Sequence, residues 1–211
     1  MLNLKTATPF VLFICLLILN SCSPKIGQSG FLDNYDLLEE SEINASLLSY
    51  INPNFEKGKY NRFMVDDIVI IFGDKAKGTT ISPDKLEELT TFFKGEILKE
   101  LSSDYTIVDE PGDDVAQIQV AITEIIPGNL FANIFPVSVA VNSATGRGKG
   151  GASLEMKVID SKTKVLLGQA TNRRKNRGYI ESFSKFGNAR GVMTYWAKLL
   201  KKRIDLFKNA Q

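Results

Sequence analysis

Cations set between glycines and carboxylates in adjacent pairs are the residues of this chain whose types and spacing could do chemistry. Gly146-Arg147-Gly148-Lys149-Gly150-Gly151 invites a phosphate-cradling reading. A phosphate loop of the Walker kind needs Gly five positions before Gly148 and Ser or Thr after Lys149. The chain has Ser143 and Gly150 there, so the pattern fails. The glycines read instead as a loop entering a strand. Arg173-Arg174-Lys175 with Arg177 is the densest charge run; it follows a strand and is expected to extend into a loop. Asp66-Asp67 and Asp113-Asp114 are the paired acids. Adjacent side chains of a strand point to opposite faces, so Asp66 and Asp67 cannot line one site without distortion. Asp113-Asp114 follows Glu110-Pro111-Gly112 in a turn, where Asp is favoured because it bonds nearby backbone. Neither pair has calcium-loop spacing.

Composition narrows the classes further. The chain has 211 residues, 26 Lys and Arg against 24 Asp and Glu, a net charge of +2 and no histidine. Without histidine there is no Ser-His-Asp or Cys-His nucleophile and no His-ligated zinc. A balance this close to neutral gives no electrostatic reason to expect nucleic acid as a partner. With 44% apolar and 24% charged residues, the chain is expected to form one globular domain.

The start of the chain reads as an address. Lys5 precedes an apolar run over residues 10–19. Ten residues make a helix of roughly 15 Å, half the bilayer core of about 30 Å, which is the length of a signal-peptide core. Leu19-Asn20-Ser21-Cys22 follows and resembles the bacterial lipoprotein cleavage box. The reading is a lipoprotein signal peptide over residues 1–21, acyl chains on Cys22, a tether over 22–30 and a single domain over 31–211. Cys15 would leave with the signal and Cys22 would carry lipid, so the mature domain would have no disulfide. One acyl chain anchors weakly and two or three anchor durably. Ser23, rather than Asp, follows Cys22; by the sorting rule of such lipoproteins this favours the outer membrane, periplasmic face.

The elements that must position these residues follow from pattern. Residues 64–72 are rich in β-branched side chains and read as one central strand. Ser82-Pro83-Asp84 opens a helix whose Leu86, Leu89, Phe93, Ile97 and Leu101 share a face. Residues 105–109 form a short strand. In the strand at 116–125, Ile118, Val120 and Ile122 alternate with Gln117, Gln119 and Thr123. Residues 152–160 place Leu154, Met156 and Val158 on one face and Ser153, Glu155 and Lys157 on the other. Ser161-Lys162-Thr163 turns the chain into 164–171. A last helix spans about 188–207, with Val192, Trp196, Leu200, Ile204 and Phe207 at helical spacing; Lys198, Lys201, Lys202 and Arg203 suit its C-terminal dipole. Residues 31–60 read as a packed arm with one helical turn near 42–50. The expected fold is α+β, a two-layer sandwich with two amphipathic helices packed on one face of a mostly antiparallel sheet of about four to five strands.

Four segments carry a family resemblance: Ser29-Gly30-Phe31-Leu32 with Tyr35 and Leu37-Leu38; residues 118–127; residues 151–171; and Tyr195-Trp196-Ala197 in the last helix. In this order they resemble the bacterial lipoprotein family catalogued as domain-of-unknown-function family 3313. That resemblance implies an exported, lipid-anchored α+β domain and transfers no catalytic residue. The expected role is a non-enzymatic binding or accessory module of an envelope complex, without metal or cofactor, partnered by the membrane and by an envelope protein. The alternative is a module binding an anionic envelope ligand (lipid head group, lipopolysaccharide or glycan) through Arg147, Lys149, Arg173, Arg174, Lys175 and Arg177. The apolar stretch 129–141 is either folded onto the core or an interaction surface.

Overall fold

A computed structural model of the chain describes residues 28–41, 44–73, 76–128, 150–175 and 186–209. Cys22, Arg147, Lys149, Arg177 and the apolar stretch 129–141 lie outside them. Eight strands form one sheet: β1 (Glu39–Ser41), β2 (Asn44–Ile51), β3 (Arg62–Val65), β4 (Val69–Ile70), β5 (Thr106–Ile107), β6 (Val115–Ile126), β7 (Gly151–Asp160) and β8 (Leu166–Lys175). Their spatial order is β1-β2-β8-β7-β6-β3-β5, and β4 also pairs with β6. The run from β1 through β6 is antiparallel, whereas β3 and β4 both pair parallel to β6 and β3 pairs parallel to β5. The helices are α1 (Pro83–Leu101) and α2 (Gly187–Asn209).

This corrects the expected sandwich of four to five mostly antiparallel strands. The class remains α+β, but the sheet has eight strands and is mixed. Three of the added or shortened strands, β1, β4 and β5, have only two or three residues each, too few to show a period. The expected single strand at 64–72 is interrupted over residues 66–68, although the Asp66 amide still donates to the Ile118 carbonyl at 3.0 Å. The interruption divides it into β3 and β4, placed one after the other along the same edge of β6. The expected helical turn near 42–50 is instead strand β2, paired with β8 from Leu47 to Ile51.

One core holds the two helices to the sheet. Leu89, Phe93, Ile97 and Leu101 of α1 are fully buried with Val192, Met193 and Trp196 of α2, against Ile118, Val120 and Ile122 of β6 and Leu154 and Met156 of β7. Pro83 occupies the first helical position of α1 and Ser82 is its N-cap, although the Ser82 side chain makes no capping bond. The rings of Phe93 and Trp196 lie 5.9 Å apart. The indole Nε1–H of Trp196 donates to Asn172 Oδ1 of β8 at 2.8 Å, and Asn172 Nδ2 donates to the Ser46 carbonyl of β2 at 2.7 Å. One buried amide thus fixes α2 to two strands, and each of these polar groups is satisfied. No described helix is long and apolar enough to cross a membrane.

The opposite face of the sheet is covered as well. Gln117, Thr123, Ser153, Glu155, Gln169 and Thr171 are all buried. Their cover over β7 and β8 is the arm that runs through Ser29–Leu32 into a 3-10 turn, Tyr35–Leu37, capped by Asn34 Oδ1 accepting from the Asp36 amide at 2.9 Å. Leu32 is buried, and Gln169 Nε2 donates to the Asn34 carbonyl.

Candidate functional site

Two constructions are built beyond what a core requires. The first is a latch on the arm side of the sheet. Glu155 of β7 is 1% exposed, and its carboxyl oxygens accept three hydrogen bonds from the arm: Ser29 N–H at 3.0 Å, Ser29 Oγ at 2.7 Å and the Tyr35 hydroxyl at 2.7 Å. Burial, and then the bond to Glu155, push the Tyr35 phenol above its ordinary pKa. Lys157 pairs with Asp33 at 3.5 Å and lies 5.2 Å from the centre of the Phe31 ring. The sequence placed Glu155 on the alternating polar face but gave no sign that this face is covered. The signal available was Ser29 and Tyr35, both within the segment that carried the family resemblance.

The second is a cleft on the helix side. It opens between the C-terminal half of α2 and the strands β2, β8, β7 and β6, with a volume of about 130 Å³. Its walls are mostly apolar, with Ile51, Phe55, Met156, Val158, Ile204 and Phe207 among the lining residues. Gly168 and Ala170 of β8, facing Val158 and Met156 across the ladder, bring little side chain to the cleft, and a Cβ at Gly168 would lie 3.1 Å from the Tyr50 carbonyl of β2. Phe55 is stacked against Tyr60 at 5.7 Å and meets Phe207 edge-on at 6.0 Å. The charged residues that line the cleft are both cations, Arg203 and Lys208. Arg203 Nη2 donates to Ser41 Oγ of β1 at 3.1 Å. No carboxylate of the described residues comes within ion-pair distance of it. Burial pulls the Arg203 guanidinium below its ordinary range. Beyond Arg203 lies a mixed recess, lined by Leu37, Tyr50, Ile51 and Pro53 as well as by Glu39, Glu40 and Ser41, in which both acids are exposed.

The basic run behaves differently from expectation in its geometry. β8 continues through Lys175, so Arg173 and Arg174 point to opposite faces of the sheet. Arg173 binds the buried Glu124 through Nε at 2.7 Å and Nη2 at 3.1 Å, and Glu124 also accepts from Ser153 Oγ. The Arg174 guanidinium lies over the Tyr195 ring of α2 at 3.7 Å. Lys175 is exposed. The structure therefore does not bring these three cations together. The paired acids are separated too. Asp66 accepts from Gln117 and Gln119, while Asp67 pairs with Lys94 at 2.7 Å. Asp113 pairs with Lys162 at 2.8 Å, and Asp114 with Arg62. Among the described residues no group of three His, Cys, Asp or Glu is placed to hold a metal ion.

The latch, the sheet beneath it and most of α2 fall within one family profile, described as "Protein of unknown function (DUF3313)", which matches residues 27–200. The chain belongs to that family. The matched span takes in Ser29, Tyr35 and Glu155, and it ends at Leu200 inside α2. No curated protein matches the chain. Among solved structures, a PelC dodecamer from Paraburkholderia phytofirmans is similar at 12% identity and a TM-score of 0.42, covering 72% of this chain and 96% of that one. A DUF4136 family protein from Bacteroides thetaiotaomicron is similar at 9% identity and a TM-score of 0.39, covering 75% and 95%. A DUF330 protein from Xanthomonas campestris is similar at 10% identity and a TM-score of 0.39, covering 74% and 92%.

Proposed function

We propose that this chain is a lipoprotein held through acyl chains on Cys22 at the periplasmic face of the outer membrane. Its domain serves as a non-enzymatic binding module whose site is the cleft under the C-terminal half of α2. The observation that carries the reading is the cleft itself, about 130 Å³ of space walled by apolar and aromatic side chains between α2 and the sheet. An engineered apolar cavity of about 150 Å³ suffices to bind benzene, so this cleft can accept an alkyl segment or one ring. Cores close such spaces unless something keeps them open, because each missing contact weakens the packing. The tether supports the anchoring half of the reading. Ser29 is already bonded to Glu155, so the seven residue steps from Cys22 span at most about 25 Å and hold the domain close to its anchor.

Each half has its own test. In cells grown with an alkyne fatty acid, the natural chain should take up the label and Cys22→Ala should not. Label persisting on Cys22→Ala would sink the anchor. For the cleft, a neutral alkyl diazirine is photolysed with the full-length protein in nanodiscs and the labelled peptides are mapped. Labelling should fall on segments 50–60 and 200–208 and should drop at least severalfold in Ile204→Trp, whose ring fills the space. Equal labelling of those segments in Ile204→Trp would overturn the cleft as a site.

A further inference from the structure

We propose that the ligand of this cleft is an alkyl carboxylate, a segment of its chain lying between α2 and the sheet and its head group on Arg203. The inference rests on the reading of the cleft as a binding site and adds the chemical class of the ligand. Three observations carry it. The walls are mostly apolar, which selects hydrocarbon. The cleft is not enclosed: Arg203 lines both the apolar space and the recess beyond it, so a chain in the first can present a head group at Arg203. The charges that line the cleft are of one sign, Arg203 and Lys208, with no acid among the lining residues.

Arg203 is the more informative of the two. A guanidinium carries five N–H donors in a planar fork that matches a carboxylate. Here the side chain is half-buried, and its hydrogen-bond partner among the described residues is a single hydroxyl, Ser41 Oγ. A cation removed from water without a counter-charge is unfavourable unless something answers it. Its neighbour Lys201 on α2 is answered, paired with Asp104 at 2.7 Å and Asp205 at 2.8 Å. Lys208 Nζ sits 5.1 Å from the centre of the Tyr105 ring, so it is partly engaged and exposed. Glu39 and Glu40, which bound the adjoining recess, are exposed and screened by water. Arg203, the half-buried charge shared by cleft and recess, is therefore the one that no described carboxylate answers, and its planar donor face suits a two-oxygen anion.

The test uses the full-length protein in nanodiscs with a dodecanoate probe bearing a diazirine, competed by unlabelled dodecanoate, dodecanol or dodecyltrimethylammonium. Mapped labelling should again fall on segments 50–60 and 200–208. Dodecanoate should compete at a roughly tenfold or more lower concentration than dodecanol, as expected for hydrogen bonds to a charged group, and the cationic analogue should compete least. Arg203→Gln should erase the preference for the carboxylate while the neutral probe still labels the cleft, and Arg203→Lys should keep part of it. Equal competition by dodecanol, or an unchanged preference in Arg203→Gln, would overturn the carboxylate while leaving the cleft reading intact. Failure of the neutral probe to label the cleft would remove the binding-site reading and this inference with it.

Discussion

Glu155→Ala is expected to lower the melting temperature of the full-length protein and to open the arm to protease. Three hydrogen bonds converge on one buried carboxyl group, two from Ser29 and one from Tyr35. Truncation leaves those donors facing a void beneath the arm. They regain water only if the arm lifts, and lifting it exposes Leu32, which is 3% exposed. Burying a Leu contributes about 1.5–3 kcal/mol, and each hydrogen bond to a charged group contributes on a similar scale. The losses are alternatives in part, because an arm that leaves keeps its donors hydrated, so a net cost of about 3 kcal/mol is expected. For a chain of this size that corresponds to roughly 6–12 °C. Glu155→Gln keeps one carbonyl acceptor at similar volume and should fall between the two. Thermal melts read the stability, and limited proteolysis reads the arm, with new cuts expected within residues 28–38. A Glu155→Ala protein that melts with the natural chain and keeps its arm protected would show that the latch does not hold the domain's outer face.

The residues that pattern placed correctly are those whose surroundings differ between their two sides. α1 buries Leu89, Phe93, Ile97 and Leu101 as its spacing predicts. On β7, Leu154 and Met156 face the helices while Ser153 and Glu155 face away from them. What pattern could not show is a second cover. The arm over β7 and β8 and the helices flank the sheet on both sides, and in β2 Leu47 is buried while 46 and 48–50 are all half-buried, so no alternation marks the strand. Parallel pairing of β3 and β4 with β6 depends on a crossover through α1, and the helical period that marks α1 does not say which strands it joins or in which direction. The same cause hid the candidate site. Arg203 read as one of four cations suiting the end of α2. It turns inward because the β1–β2 hairpin, which the sequence did not reveal, lies beside it and supplies Ser41. The run at Arg173–Lys175 was conspicuous as charge, but a strand through it sends successive side chains to opposite faces. The proposed anchor at Cys22 rests on residues 10–22 of the sequence alone, and Cys22 lies outside the described residues.

Asp160→Asn should destabilise the protein at neutral pH by about 2–3 kcal/mol, and the deficit should shrink as the solution is acidified. Asp160 ends β7 and is 4% exposed. Its Oδ1 accepts from the amides of Thr163 at 2.8 Å and Lys162 at 3.0 Å, which closes the turn into β8. Its Oδ2 accepts from the buried Tyr60 hydroxyl at 2.8 Å and from Lys59 Nζ at 3.4 Å, which fastens the segment before β3 to that turn. The turn needs this support because Lys164 has φ 61°, in the left-handed region that side chains disfavour. The Thr163 amide, the Tyr60 hydroxyl and the Lys162 amide hold the Asp160 carboxyl well below the usual range despite the opposing effect of burial. A group whose pKa is depressed by folding contributes stability above its unfolded value, near 3.9, and loses it as the pH falls through its folded value. The natural chain should therefore lose stability more steeply than Asp160→Asn between about pH 5 and pH 2. Asp67, Asp104, Asp114 and Asp205 are also held low by their cationic partners and make both proteins acid-sensitive. They cancel in the difference between the two, which isolates Asp160. Denaturant midpoints followed by circular dichroism at several pH values supply that difference. A gap of the same size at pH 7 and pH 3 would mean that the Asp160 contacts stabilise through shape alone and that its charge contributes nothing.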